Sequence, residues 1–158
     1  YWRFQRQCLC ADEVGYGQFL ADILVLNKSN YYHEIEIKTV KSDLCVAELN
    51  KSKHELWKPT YPNYFSFAVP TYLVEDARIM IEKINPKYGL IEIFENQKWG
   101  NPVCFRKSAK LLHNNKDKIE CWKERIIMRN SSSLIGYMKR AHCKEPVILD
   151  SKETNENL

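Results

Sequence analysis

Residues 19–40 read FLADILVLNKSNYYHEIEIKTV, and this stretch decides the fold. Phe19 to Leu26 is a nearly continuous apolar run, interrupted only by Asp22. A run of that length bounded by turn residues reads as a strand buried on both faces. Asn27-Lys28-Ser29-Asn30 then supplies the turn. Tyr31 to Val40 resumes with β-branched and aromatic residues, so the two runs form a hairpin in the middle of a sheet.

Working outward, residues 1–10 alternate apolar and polar and are expected to form a first strand. Gly15 and Gly17 place a turn between Glu13 and Gln18. After the hairpin, Ser42-Asp43 begins a helix carrying Leu44, Val46, Ala47, Leu49, Leu56 and Trp57, which Pro59 and Pro62 end. Tyr64 to Val69 is a short buried strand closed by Pro70, and Glu75 to Ile84 is an amphipathic helix stopping before Asn85-Pro86. Tyr88 to Phe94 is a strand. Trp99 to Phe105 is an edge strand, because Pro102 limits its pairing. Lys116 to about Lys139 reads as one or two basic helices, broken near Asn130–Ser133. The order implies an α/β domain whose mixed central β-sheet is flanked by helices, with a basic helical C-terminal tail. One domain is expected over residues 1–145, with a polar, disordered tail at 146–158.

Gly (5) and Pro (6) are too scarce for a low-complexity or repeat architecture. No apolar run approaches the ~18–20 residues of a membrane span, and YWRFQRQ at the start is no signal peptide. A start at Tyr1 suggests a chain that begins partway into a longer protein. The six cysteines form no C-x-x-C pair and read as reduced, buried thiols, so a cytoplasmic location is expected. Between Lys98 and Lys144 twelve Lys or Arg stand against three acids, a net +9, which leaves the remainder at −5 within an overall +4. A basic rear beside an acidic front suits a polyanion clamp next to a metal site, although a solvated helix face has the same composition.

Two features carry chemistry. Asp22 lies in an apolar strand, where a carboxylate needs a partner or a metal. Glu34, Glu36 and Lys38 alternate along the next strand and share one face. If the strands pair, Asp22 comes beside Glu36, and two carboxylates and an ammonium meet on a rigid sheet. That set suits phosphodiester hydrolysis. Hard divalent ions prefer carboxylate and carbonyl oxygens, and a bound ion neutralises phosphate charge and acidifies water. Asp22, Glu36 and the backbone carbonyl of Ile37 are the candidate metal ligands, and Lys38 the residue that positions the attacking water. An isolated E-x-K is common and also fits a surface ladder of cross-strand pairs. An Asp in an apolar strand, a turn, then E-x-K is far more specific.

The pattern D…(D/E)-x-K on adjacent strands, followed by a helix, resembles the PD-(D/E)XK nuclease superfamily. The run ADILVLNKSNYYHEIEIKTVKSDL, then YPNYFSFAVP, then YGLIEIFE, is similar to the MmcB-like DNA-repair endonucleases of bacteria, over roughly residues 4–94. The resemblance implies a restriction-endonuclease-like fold and a Mg2+- (or Mn2+-) dependent DNA endonuclease in repair, recombination or defence. By resemblance Asp22, Glu36 and Lys38 take the catalytic and metal positions. Three departures stand out. Ala21 replaces the proline before the aspartate, the stretch before Tyr64 is longer than the family's, and the acid often found on an upstream helix would lie before Tyr1. Glu13 is a poor substitute for that acid.

DNA is the expected partner, with RNA not excluded, no membrane, and a homodimer as an open arrangement. Lys41, Lys51, Lys53, Lys123, Arg125 and Arg129 are candidates for phosphate contacts. Glu34 is expected to flank the site and His54 to lie on the surface. No helix-turn-helix or zinc module is present for base readout, so cutting is expected to be structure-selective or weakly specific. The alternative is a catalytically inactive nucleic-acid-binding module on the same fold. A third reading is an adaptor whose charges serve solubility, which flat salt dependence of DNA binding would favour.

Overall fold

Six strands in the order β1-β2-β3-β4-β5-β6 make one sheet, so every neighbour in space is also a neighbour in sequence. The computed structural model describes residues 8–16, 18–55, 61–95, 102–116 and 119–142. β1 (Leu9–Tyr16), β2 (Phe19–Leu26) and β3 (Tyr32–Ile37) form an antiparallel meander. β4 (Tyr64–Pro70) runs parallel to both β3 and β5 (Gly89–Ile93), and β6 (Val103–Lys107) returns antiparallel at the edge. The mixed α/β sheet expected from the sequence is present.

The differences from expectation are local. The first described strand runs over 9–16, residues 1–7 of the expected 1–10 strand lie outside the described residues, and Gly15 lies inside the strand, paired with Leu20. The expected single helix after β3 is three short pieces: a π-helical turn Asp43–Ala47, a 3-10 turn Glu48–Asn50, and α1 (Ser52–Glu55). Lys51 is extended there, with ψ at 116°, which breaks the helix and brings its side chain back over the sheet. α2 (Val74–Ile84) ends where Asn85, ahead of Pro86, turns extended. α3 runs unbroken from Ile119 to His142, without the break expected near Asn130. Ser131 Oγ instead bonds back to the Ile127 carbonyl, which satisfies it within a continuous helix. The expected positions of Leu56, Trp57, Trp99 and the 146–158 tail lie outside the described residues.

Alternation sorts the strands onto two faces. Phe65, Phe67 and Val69 of β4 pack with Tyr88, Leu90, Leu44 and the α2 residues Ala77, Met80 and Ile81. Burying each large side chain of this kind contributes roughly 1.5–3 kcal/mol. Trp122 and Ile126 of α3 cover Ala11, Val14, Leu24 and Tyr32 at the β1 end. Ile35, Ala68 and Ile91 point the other way, into a separate cluster with Val25. Cys8, Cys10, Cys45 and Cys104 are only half-buried and Cys121 is exposed, so the thiols border the core rather than fill it.

Gly89 begins β5 where it crosses Ser66. A Cβ at that position would come 2.2 Å from Ser66 Oγ and 2.9 Å from the backbone nitrogen of Ala109. The serine can rotate but the backbone cannot. Gly89→Ala is therefore expected to destabilise the fold by about 1–3 kcal/mol, read as a lower urea midpoint with an unchanged slope.

Candidate functional site

The two-residue alternation of β2 fails at one point. Ala21 and Leu24 both enter the same cluster although they are three apart, and so do Val14 and Ala11 on β1. Between them, Glu13 takes a positive φ of 49°. The register sets Asp12 opposite Ile23 and Val14 opposite Ala21, so Glu13 stands across from Asp22. On its other side the β2–β3 ladder runs as far as Ile23 opposite Ile35 and ends one residue short of Asp22. Asp22 Oδ2 accepts the Ile37 amide at 2.7 Å. The carboxylate is half-buried and its pKa is raised. Burial and the Glu36 charge push it up, while the Ile37 amide, Lys38 and Lys51 pull it down.

Glu36 is buried and holds three ammonium groups. Oε1 accepts Lys38 at 3.0 Å and Lys51 at 2.6 Å, and Oε2 accepts Lys53 at 3.1 Å. Burial alone would raise its carboxyl, but Lys53, Lys51 and Lys38 outweigh it and hold it below the usual range. Lys38 lies between Glu36, Glu48 at 3.1 Å and Asp43 at 3.2 Å. Burial would lower its pKa, but Glu36 and Glu48 more than offset that and keep it protonated. Asp22, Glu36 and Lys38 thus share one region of the sheet.

The network extends deeper than the sequence suggested. Glu34, expected to flank the site, is fully buried beneath it. It accepts Lys53 at 2.9 Å on one oxygen and the Tyr16 hydroxyl on the other. Burial raises its pKa to about 7 despite both partners. Lys53, a candidate phosphate contact, is only 1% exposed, and its ammonium is committed to Glu34 and Glu36. It braces the site from below and presents nothing to a phosphate. His54 is not a surface residue: it sits between Glu48 at 2.6 Å and the Tyr88 hydroxyl at 2.9 Å. Glu48 itself went unnoticed in the sequence. The available signal was its spacing of four from Leu44, which puts both on the buried face.

The remaining candidates are dispersed. Lys51 is one-third exposed and bridges Glu36 and Glu48 at the mouth of the network. Lys41 is exposed and pairs with Asp76 of α2 at 2.8 Å. Lys123 lies on the exposed side of α3. Arg125 donates to the Gly15 carbonyl at 2.6 Å, and Arg129 pairs with Glu13. Both arginines therefore fasten α3 to the kinked part of β1, and Glu13 is engaged by Arg129 rather than turned toward Asp22.

Among the described residues no group of three or more His, Cys, Asp and Glu side chains is gathered as a ready-made metal cage. The donors that could hold a hard divalent cation are the carboxylates of Asp22 and Glu36, whose chemistry fits such an ion. A cation at Glu36 Oε1 would displace Lys51, the most exposed of the three ammonium groups. A separate cavity of about 360 Å3, lined by Asn27, His33, Tyr64, Ser66 and Phe105, opens on the opposite face of the sheet. It has no part in the carboxylate network, because His33 and Ser66 alternate with Glu34 and Phe65.

No protein-family model matches the chain, and no curated protein matches it significantly. Among solved structures, the SPO1766 protein of unknown function from Silicibacter pomeroyi is similar in fold. The TM-score is 0.67 at 11% identity, over 94% of this chain and 89% of that one. At that identity the likeness concerns the fold alone. No helix among the described residues is long and apolar enough to cross a membrane.

Proposed function

We propose that the chain is a metal-dependent endonuclease of the PD-(D/E)XK type, acting on DNA in repair, recombination or defence. The observation that carries this reading is the bond that Asp22 accepts from the amide of Ile37, the residue after Glu36, at 2.7 Å, with the Lys38 ammonium 3.0 Å from the Glu36 carboxylate. Asp22, Glu36 and the Ile37 carbonyl would hold Mg2+ or Mn2+, which supplies charge neutralisation at the phosphate and a more acidic water. Lys38 orients that water and stands beside the negative charge that develops on the phosphate. Lys51, at the mouth, is the cation able to leave Glu36 for a phosphate oxygen. Lys41, Lys123 and the basic surface of α3 would add sequence-independent affinity, which falls steeply with salt. RNA as substrate and a homodimer as the cutting unit belong to the same reading.

The alternative is a catalytically inactive nucleic-acid-binding module. One observation favours it: both oxygens of Glu36 already carry ammonium donors. Incubation of supercoiled plasmid and single-stranded DNA with the protein separates the two. The nuclease reading expects nicking or degradation with Mg2+ or Mn2+ and none with EDTA. Salt-sensitive DNA binding without cleavage in either metal would favour the binding module.

A further inference from the structure

The Lys38 ammonium is held by three carboxylates, of which Asp43, 3.2 Å away, is half-exposed and the other two are buried. Glu36 comes from its own strand, and Glu48 comes from the 3-10 turn over the sheet. Glu48 is fully buried, and a carboxylate there costs far more than the leucine that packing alone would favour. Its Oε2 lies 3.1 Å from Lys38 Nζ and 2.8 Å from Lys51 Nζ, while Oε1 receives His54 Nε2 at 2.6 Å. The far nitrogen of the imidazole, Nδ1, lies 2.9 Å from the Tyr88 hydroxyl. Burial lowers the His54 pKa against the pull of Glu48, so the ring is neutral and carries one proton. A carboxylate accepts only, which places that proton on Nε2 and leaves Nδ1 to accept the Tyr88 hydroxyl proton. Phe65 and Tyr88 pack against the imidazole with ring centres 5.4 and 5.5 Å away and fix its plane. The donors thus run in one direction, from Tyr88 through His54 to Glu48, whose other oxygen has no hydrogen-bond partner and lies in ion-pair range of Lys38 at 3.1 Å.

We propose that Glu48 is a positioning residue for Lys38, aligned by His54 and Tyr88, which fixes the ammonium where the attacking water is to be held. The role of Lys38 in cleavage rests on the nuclease reading, whereas the alignment of its ammonium does not. Of the three carboxylates at Lys38, Asp43 is half-exposed, whereas Glu48 is buried and is itself held by His54, so Glu48 rather than Asp43 fixes the ammonium against Glu36.

Glu48→Gln keeps the volume and removes the anion. With Mg2+ or Mn2+ it is expected to lower kcat about 10- to 100-fold, the range seen when partners that orient site residues are lost, with KM for DNA within about twofold of wild type. His54→Asn, outside the ion network, is expected to lower kcat about tenfold by the same route. A parallel measurement needs no activity. In 15N spectra without metal, the Lys38 ammonium signal, assigned by its loss in Lys38→Arg, is expected in the wild type and not in Glu48→Gln. A folded Glu48→Gln that keeps that signal, or that cuts within about threefold of wild type, would overturn the proposal. If Glu48→Gln does not fold, a His54→Asn protein with wild-type kcat and an unchanged Lys38 signal overturns it equally. If the wild type cuts nothing, the nuclease reading falls, and the ammonium signal alone decides whether Glu48 positions Lys38.

Discussion

Replacing Lys53 with methionine is expected to cost the fold about 3–5 kcal/mol, the range measured when one partner of a buried ion pair is removed. Against a typical total of ~5–15 kcal/mol, that is a third or more of the stability. The reason lies in what the ammonium holds. Lys53 is the sole ammonium within ion-pair distance of Glu34 among the described residues, and it takes the second oxygen of Glu36. Methionine fills the volume but leaves Glu34 to the Tyr16 hydroxyl alone.

The loss depends on pH. Glu34 has a folded pKa near 7, above its ordinary 4.5, so its contribution is fully present below about pH 4.5 and is lost as the pH rises through 7. Without Lys53 that pKa rises further, and the variant suffers most when Glu34 must ionise. Glu48 runs the other way: its partners hold it near 2, so its contribution is present above about 4.5 and lost as the pH falls toward 2. Urea unfolding at pH 5 and pH 8 should thus show a larger difference between wild type and Lys53→Met at pH 8. A difference below about 1 kcal/mol at pH 8 would mean that Lys53 is not committed to the buried carboxylates.

The second large effect follows from the proposed nuclease activity. Asp22→Asn keeps an oxygen for the Ile37 amide, so the β2–β3 junction is expected to survive. It removes the negative charge a divalent cation requires. Lys38→Ala removes the ammonium at Glu36 but leaves Lys51 and Lys53 to neutralise that carboxylate. Each substitution is expected to slow cleavage by about 10³-fold or more, the range for losing a positioned donor or charge at a reacting centre. Each should leave the unfolding midpoint closer to wild type than Lys53→Met does.

The sheet was legible because its signals are local. Asp22 stood out in an apolar run, the turn at 27–30 was plain, and parity put Glu34, Glu36 and Lys38 on one face. What parity cannot tell is whether that face is wet. Here it is buried, because the segment after β3 folds back over it, and it does so through a break at Lys51 that no helical periodicity announces. For that reason Lys53 and His54 read as surface residues and Glu48 as nothing in particular. The kink at Glu13 was equally hidden, since a positive φ at a glutamate has no sequence signature comparable to glycine. The arginines of α3 read as a polyanion surface, yet Arg125 and Arg129 are engaged by β1, and only the packing of Trp122 and Ile126 decides which side of the helix faces inward.

The most direct measurement is cleavage of supercoiled plasmid and single-stranded DNA in Mg2+ or Mn2+ by the wild type, Asp22→Asn and Lys38→Ala, with folding of each checked by circular dichroism. The expected result is metal-dependent cutting by the wild type and loss of cutting in both folded variants. Cutting that persists undiminished in both variants, or a folded wild type that binds DNA and leaves it intact in either metal, would contradict a nuclease centred on Asp22, Glu36 and Lys38.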